Sequence, residues 1–363
     1  MSVTMKIISV VGARPQFIKA VLVSQEIRKT HTEILVHTGQ HYDINMSRTF
    51  FEELNIPEPD YNLETGSDTH ARQTGKIMMK IEEIYESEKP ELVLVYGDTN
   101  STIAAALAAV KLHIPIAHVE AGPRMNDKNI PEEVNRILTD HISDLLFAPT
   151  KTSVDNLHRE GLNQGIYLTG DVMLDSFIHF KKMNADNIEI LHKYNLNPGQ
   201  YFLATVHRAR NTDIEENLQN IVDALCHISE KIIIPLHPRT TKYLKQFGLY
   251  QKLNEVPNLI ISDPVGYIDS IILTSNAKKI LTDSGGLQKE AYFARVPCIT
   301  LDESTGWTET VEDNWNVLVG SDKNKILDAV ENFSPKREQR NVFGDGKAAE
   351  KMVSIISQFH SKR

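Results

Sequence analysis

The chain is poor in features that stabilise or route proteins outside a reducing, aqueous compartment. Of 363 residues only two are cysteine, Cys226 and Cys298, far apart and in no CxxC pair. That leaves neither a disulfide framework nor a thiolate zinc site to propose. Long hydrophobic runs are missing too. The longest uninterrupted apolar stretch, 103–110, is eight residues of mostly alanine and leucine, far short of the ~20 that a spanning helix requires. Residues 1–6 run straight into a strand-like segment without a signal-peptide pattern. Basic charge is in deficit, with 39 Lys and Arg against 48 Asp and Glu and a net charge of −9. This balance argues against nucleic acid or an anionic membrane as partner. The expectation is a cytoplasmic protein. An acidic chain can still hold a diphosphate, because local donors decide that binding.

Two nucleotide motifs are also absent. No GxGxxG follows the first strand-like segment, which weakens a dinucleotide-dependent oxidoreductase. The triplet Thr74-Gly75-Lys76 lacks the upstream glycine of a P-loop and is followed by Ile77, which disfavours ATPase chemistry.

What is present is a globular balance, 41% hydrophobic and 24% charged, on a length that suits two domains. Short apolar runs at 6–11, 33–37, 92–96, 114–119, 145–148 and 166–168 alternate with helical segments such as 15–29, 101–112 and 131–143. The rhythm pauses near 170 and over the turn-rich 195–200. It resumes with runs at 201–206, 231–236, 259–262, 279–282 and 298–300. Near-continuous apolar strands alternating with helices predict α/β structure, with parallel sheets covered on both faces. Two alternating halves predict two Rossmann-like domains, 1–170 and 171–345, with a cleft between them. An amphipathic last helix, 346–363, is free to pack back on the N-terminal domain.

In open parallel sheets, ligands bind where the carboxyl ends of strands lead into helices. Polar and ionisable residues concentrate at those positions here: Gly12-Ala13-Arg14-Pro15 with Lys19, His37 to His41, Gly97-Asp98-Thr99-Asn100, His118-Val119-Glu120, His207-Arg208, His237-Pro238-Arg239 and Asp283-Ser284-Gly285-Gly286. This clustering marks an active edge. Ser284, Gly285 and Gly286 suit a phosphate at a helix N-terminus; the same residues read equally as a plain N-cap with a glycine turn. Glu290 reads as a ribose contact or as a charge near a helix start. Arg14 can pair with a diphosphate or remain a solvated loop arginine, and Lys19 can face ligand or solvent. Asp98 is adequately explained as a helix cap. Glu120, at a strand end before Ala121-Gly122, has no capping task in view, which favours function. Pro131-Glu132-Glu133 reads as an ordinary helix start. His207 suits acid, base or diphosphate donor roles as readily as a core or capping role. His37 and His41 have i, i+4 spacing, but they follow a strand, where that spacing does not converge on a metal.

In order, these motifs resemble the non-hydrolysing UDP-N-acetylglucosamine 2-epimerase family. The resemblance is carried by Val11-Gly-Ala-Arg-Pro-Gln-Phe-Ile-Lys19, His37-Thr-Gly-Gln-His41, Gly97-Asp-Thr-Asn-Ser-Thr102 and His118-Val-Glu-Ala-Gly122. It continues through Pro131-Glu-Glu-Val-Asn-Arg136, His207-Arg208, His237-Pro238 and Leu281-Thr-Asp-Ser-Gly-Gly-Leu-Gln-Lys-Glu290, and so covers nearly the whole chain. It implies the two-domain GT-B architecture, a homodimer and a UDP-sugar substrate. It places Asp98, Glu120, Glu132 and His207 on catalytic positions. Arg14, Lys19, Ser284, Gly285, Gly286 and Glu290 fall on nucleotide-binding positions, and Gln40 and His41 on a loop that holds an activating UDP-sugar in some bacterial members. The implied chemistry is C2 inversion in the supply of cell-surface polysaccharide precursors. UDP leaves C1 as a proton leaves C2, giving a 2-acetamidoglucal, and UDP then re-adds with protonation of the opposite C2 face. Because no hydride leaves the sugar, neither a metal nor a nicotinamide cofactor is needed.

Three departures stand out: Pro123 for a leucine, Arg210 for an acid, and Trp307-Thr308 for an Arg-Pro pair. Trp307 resembles the branch acting on UDP-2,3-diacetamido-2,3-dideoxyglucuronate, the alternative substrate. Glycosyl transfer and non-catalytic sensing of a UDP-sugar are the remaining readings.

Overall fold

Runs of valine, isoleucine and leucine pair into two separate, wholly parallel sheets. The computed structural model describes residues 4–40, 54 and 56–360. In the first sheet, β1 (Lys6–Val11), β2 (Thr32–His37), β3 (Tyr61–Asn62), β4 (Leu92–Tyr96), β5 (Ile116–Val119), β6 (Leu145–Ala148) and β7 (Ile166–Leu168) stand in the order β3-β2-β1-β4-β5-β6-β7. The second contains β8 (Tyr201–Thr205), β9 (Lys231–Pro235), β10 (Leu259–Ser262), β11 (Lys279–Thr282), β12 (Cys298–Thr300) and β13 (Asn316–Leu318), ordered β10-β9-β8-β11-β12-β13. The chain divides into two compact units. One takes in the sequence up to Ile178 together with the segment from Asn341 onward; the other is His179–Arg340.

Each sheet reverses its strand order once, between β1 and β4 in the first unit and between β8 and β11 in the second. Helices leave to opposite faces at such a reversal, so a crevice opens there at the carboxyl ends of the strands. The fold therefore nominates the segments after β1, β4, β8 and β11 before any side chain is considered.

Packing explains why the central strands are mostly apolar. Phe202 and Ala204 point into one core of the second unit with Ile232 and Ile234. Tyr201 and Leu203 point into the other with Ile233 and Ile280. Successive side chains alternate faces, and both faces are covered. In the first unit, Ala104, Ala105 and Ala108 of the helix Asn100–Lys111 pack with Ile8, Val10, Val93 and Val95 of the strands. The last helix, Ala348–His360, belongs to this unit, where Ser357 Oγ lies 2.8 Å from His31 Nε2. Thr74-Gly75-Lys76 lies inside the helix His70–Glu88 and so forms no phosphate loop. No helix among the described residues is long and apolar enough to cross a membrane.

Candidate active site

The edge of the first unit is tied together by Gln16. Its Oε1 accepts the Gly12 and Ala13 N–H groups at 2.8 and 3.1 Å, and its Nε2 donates to the Tyr96 carbonyl at 2.8 Å. One buried amide thus links the turn after β1 to the end of β4. Gly12 is obligatory at this junction, since a Cβ there would lie 2.2 Å from both Ser101 Oγ and Thr38 Oγ1. Arg14 is half-buried at the start of the helix Arg14–Ile27.

Lys19, one turn further on, turns inward. Its Nζ donates to Glu120 Oε1 at 2.7 Å, with the two side chains only 7% and 8% exposed. Gly97 makes room, because a Cβ there would approach the Lys19 ammonium to 3.1 Å. Glu120 has φ +69, a left-handed conformation that costs a non-glycine residue roughly 1–2 kcal/mol. Such strain persists where the surroundings over-determine it, and it clusters at functional sites.

Asp98 does not cap the following helix. Thr99 is the N-cap, its hydroxyl accepting from Thr102 N. The sequence reading that favoured a capping aspartate is corrected here by one residue. Asp98 instead binds the Arg136 guanidinium, while its backbone carbonyl accepts from Asn135 Nδ2 at 3.0 Å. Burial opposes the charge of Arg136, but Asp98, Glu120 and Glu133 around it more than offset that penalty and raise its pKa. Lys19, Asp98, Glu120 and Arg136 therefore form one charged cluster at the ends of β4 and β5.

The helix Pro131–Ile142 presents two adjacent acids differently. Glu133 is buried, taking the Met125 and Asn126 N–H groups at 3.0 and 2.9 Å and Arg136 Nη1 at 2.6 Å. Glu132 is exposed. Glu133 has the structural task, and Glu132 faces solvent. Gln40 takes Ser101 N–H and Oγ at 3.1 and 2.6 Å, and His41 lies outside the described residues. His37 is buried against the Phe17 ring, and desolvation lowers its pKa to about 4. It is a neutral ring at physiological pH.

In the second unit the organiser is Asp283, fully buried. Its carboxylate accepts the backbone N–H groups of His207 (3.0 Å) and Arg208 (2.9 Å) and Asn211 Nδ2 (3.0 Å). Its carbonyl accepts from Arg208 Nε at 2.8 Å. The segment after β8 is thus locked to the one after β11. Ser284, not Asp283, caps the helix Gly285–Ala294. A Cβ on Gly285 would lie 3.4 Å from Trp307 Nε1 and 3.7 Å from Arg208 Nη2. The glycine entrance is therefore flanked by an indole N–H and a guanidinium. Ser284, Gly285 and Gly286 are half-buried; Glu290, one turn into the helix, is buried. Lys289, also buried, sets its ammonium 4.0 Å from the centre of the Trp307 ring. The His207 ring lies 3.2 Å from Asp283 and 5.8 Å from the ring of His237. Desolvation lowers its pKa, assisted by Arg208 and Arg239 and opposed by Asp283. Arg210, one of the departures, pairs with Asp302 and Glu303 at 3.2 and 2.5 Å.

Two residues of weight escaped the sequence reading. Arg136 was visible within the Pro131–Arg136 motif but had no partner in the linear chain. His118 stands within the His118-Val119-Glu120 edge, but its partners Asp140 and Gly97 are 22 and 21 residues away.

A strained acid and a buried lysine beside one switch point, with histidine, arginine and a glycine-led helix at the other, are the equipment of an enzyme built on two Rossmann-like units, as the GT-B architecture implied by the family resemblance requires. Comparison with known proteins narrows this. The profile of the UDP-N-acetylglucosamine 2-epimerase family matches residues 25–357, and the chain belongs to that family. It is 56% identical, over 97% of its length and 99% of the relative's, to a UDP-N-acetylglucosamine 2-epimerase homolog of Methanococcus maripaludis. It is 44% identical to the UDP-2,3-diacetamido-2,3-dideoxy-D-glucuronate 2-epimerase of Pseudomonas aeruginosa, over 98% of this chain and 100% of the other. Among solved structures, the UDP-GlcNAc 2-epimerase of Methanocaldococcus jannaschii, in complex with UDP-GlcNAc and UDP, superimposes with a TM-score of 0.92. It shares 46% identity over 98% of this chain and 100% of that one.

Proposed function

We propose that this enzyme inverts C2 of UDP-N-acetylglucosamine, giving UDP-N-acetylmannosamine by elimination and re-addition of UDP. The observation that carries the reading is the pairing of Asp98 and Glu120 with Arg136 and Lys19 at one strand edge, in a chain similar over 97% of its length to named 2-epimerases.

The C2–H bond of the substrate has no carbonyl beside it, so direct deprotonation is slow. Departure of UDP from C1 gives the ring oxocarbenium character. The C2 proton passes to a carboxylate, the C1–O bond breaks, and the C1–C2 double bond of 2-acetamidoglucal forms. Protonation of the other face of C2 as UDP returns to C1 completes the inversion. Asp98, Glu120 and Glu132 supply these proton transfers, each worth roughly 10²–10⁴-fold. Arg14 and His207 stabilise the departing diphosphate. Lys19 contributes charge from its ion pair with Glu120. Ser284, Gly285 and Gly286 hold phosphate oxygens, and Glu290 a ribose hydroxyl. Gln40 and His41 belong to a loop for a second, activating UDP-sugar. In this proposal the enzyme is a cytoplasmic homodimer feeding cell-surface polysaccharide synthesis.

Trp307 and the 44% identity to the P. aeruginosa enzyme favour UDP-2,3-diacetamido-2,3-dideoxyglucuronate as the second reading. Purified enzyme offered each nucleotide sugar separately, with products resolved by chromatography, decides between them. Turnover of UDP-N-acetylglucosamine is expected; turnover of the diacetamido uronate alone overturns the first choice.

A further inference from the structure

His118 sits in β5 two residues before Glu120 and is fully buried. Its Nδ1 lies 2.7 Å from Asp140 Oδ1, and its Nε2 lies 2.7 Å from the carbonyl oxygen of Gly97. A carboxylate and a carbonyl oxygen are thus held apart by one ring, with a ring nitrogen facing each. Asp140 is itself fully buried, and its Oδ2 accepts Gly122 N–H at 3.1 Å and Arg124 Nη2 at 2.7 Å. Burial alone would raise the Asp140 carboxyl, but His118 and Arg124 hold it below the usual carboxylate range. Arg124 is anchored in turn by two bonds of 2.7 Å to Glu160.

The two ends of this network fall beside the proposed catalytic acids. Gly97, whose carbonyl faces the imidazole, has φ +61 and immediately precedes Asp98. Gly122, whose N–H faces Asp140, follows the left-handed Glu120 by two residues and has φ +90. The ends of β4 and β5 are therefore cross-linked through one ring rather than by strand pairing alone.

We propose that His118 is a positioning residue for the epimerisation: a buried imidazole bridging the Gly97 carbonyl and Asp140 that fixes Asp98 and Glu120 relative to one another. It acts through the backbone of its neighbours and contacts no reacting atom. The inference rests on the assignment of Asp98 and Glu120 to proton transfer.

Two substitutions separate the two arms of the ring. His118→Gln reaches as far as Nε2 and keeps a donor for Gly97 while losing the bond to Asp140. His118→Asn matches Nδ1 and does the reverse. Turnover, KM and melting temperature are measured for both, beside Asp98→Asn and Glu120→Gln. Each variant breaks one arm of the bridge, so both are expected to lose on the order of 10²-fold in kcat, the scale of a small misplacement of reacting groups, with KM unchanged. Wild-type kcat in either variant, or a loss confined to KM, overturns the proposal. Full turnover by Asp98→Asn and Glu120→Gln instead overturns the catalytic assignment beneath it.

Discussion

Removing the ammonium of Lys19 should destabilise the first unit far more than a surface substitution would. Lys19 and Glu120 meet at 2.7 Å with less than a tenth of either side chain exposed. Lys19→Met keeps the aliphatic stem but leaves the Glu120 carboxylate buried without its cation. Breaking a buried pair from one side costs about 3–5 kcal/mol. For a unit of this size that corresponds to a melting shift of roughly 6–20 °C. Arg136 is also in the field of Glu120, which places the expectation toward the lower end. Thermal unfolding followed by far-ultraviolet circular dichroism measures the shift, and a cycle with Glu120→Gln isolates the pair. The double variant should be distinctly more stable than the sum of the two single losses requires. Losses that add within about 0.5 kcal/mol, the behaviour of independent sites, would refute the argument that this ion pair holds the edge together.

The adjacent acids of the helix Pro131–Ile142 should separate cleanly. Glu132→Gln should abolish most turnover while changing stability by no more than about 0.5 kcal/mol, as expected of an exposed position. Glu133→Ala should melt markedly lower, because it removes the acceptor of two backbone N–H groups and one of the carboxylates that bind Arg136; melting curves and turnover on the same samples test the contrast. The cysteines should also differ. Burial pushes the Cys298 thiol up to about 12, whereas Cys226 is partly exposed with a smaller upward shift. An aromatic disulfide reagent should therefore titrate one thiol in the native protein, slowly, and two after denaturation.

Much of this organisation is legible in the sequence where burial forces composition. β4 and β8 are covered on both faces, so Leu92–Tyr96 and residues 201–204 are almost wholly apolar and announce themselves. The two-residue β3, Tyr61–Asn62, and β13, which opens on the polar Asn316, form no apolar run. The helix His70–Glu88 follows no such apolar run; its buried Ile77, Ile81, Ile84 and Tyr85 recur only at helical spacing. Site residues divide similarly. Glu120 stood out because nothing local required a carboxylate there. Asp98 did not, since Asp-Thr-Asn before a helix suits a cap at any of its positions, and only the backbone angles assign that task to Thr99. His118 and Arg136 depend on partners 21 and 38 residues away, and linear spacing carries no trace of such distances.

Elimination and re-addition of UDP require that the C2 proton of the sugar be removed and replaced. Proton NMR of the enzyme with UDP-N-acetylglucosamine in heavy water tests this directly. Loss of the C2 proton signal to deuterium is expected, together with growth of the manno isomer, and neither change with Glu120→Gln. Formation of the manno isomer with its C2 proton retained, or tight binding with no exchange at all for either candidate nucleotide sugar, would contradict it.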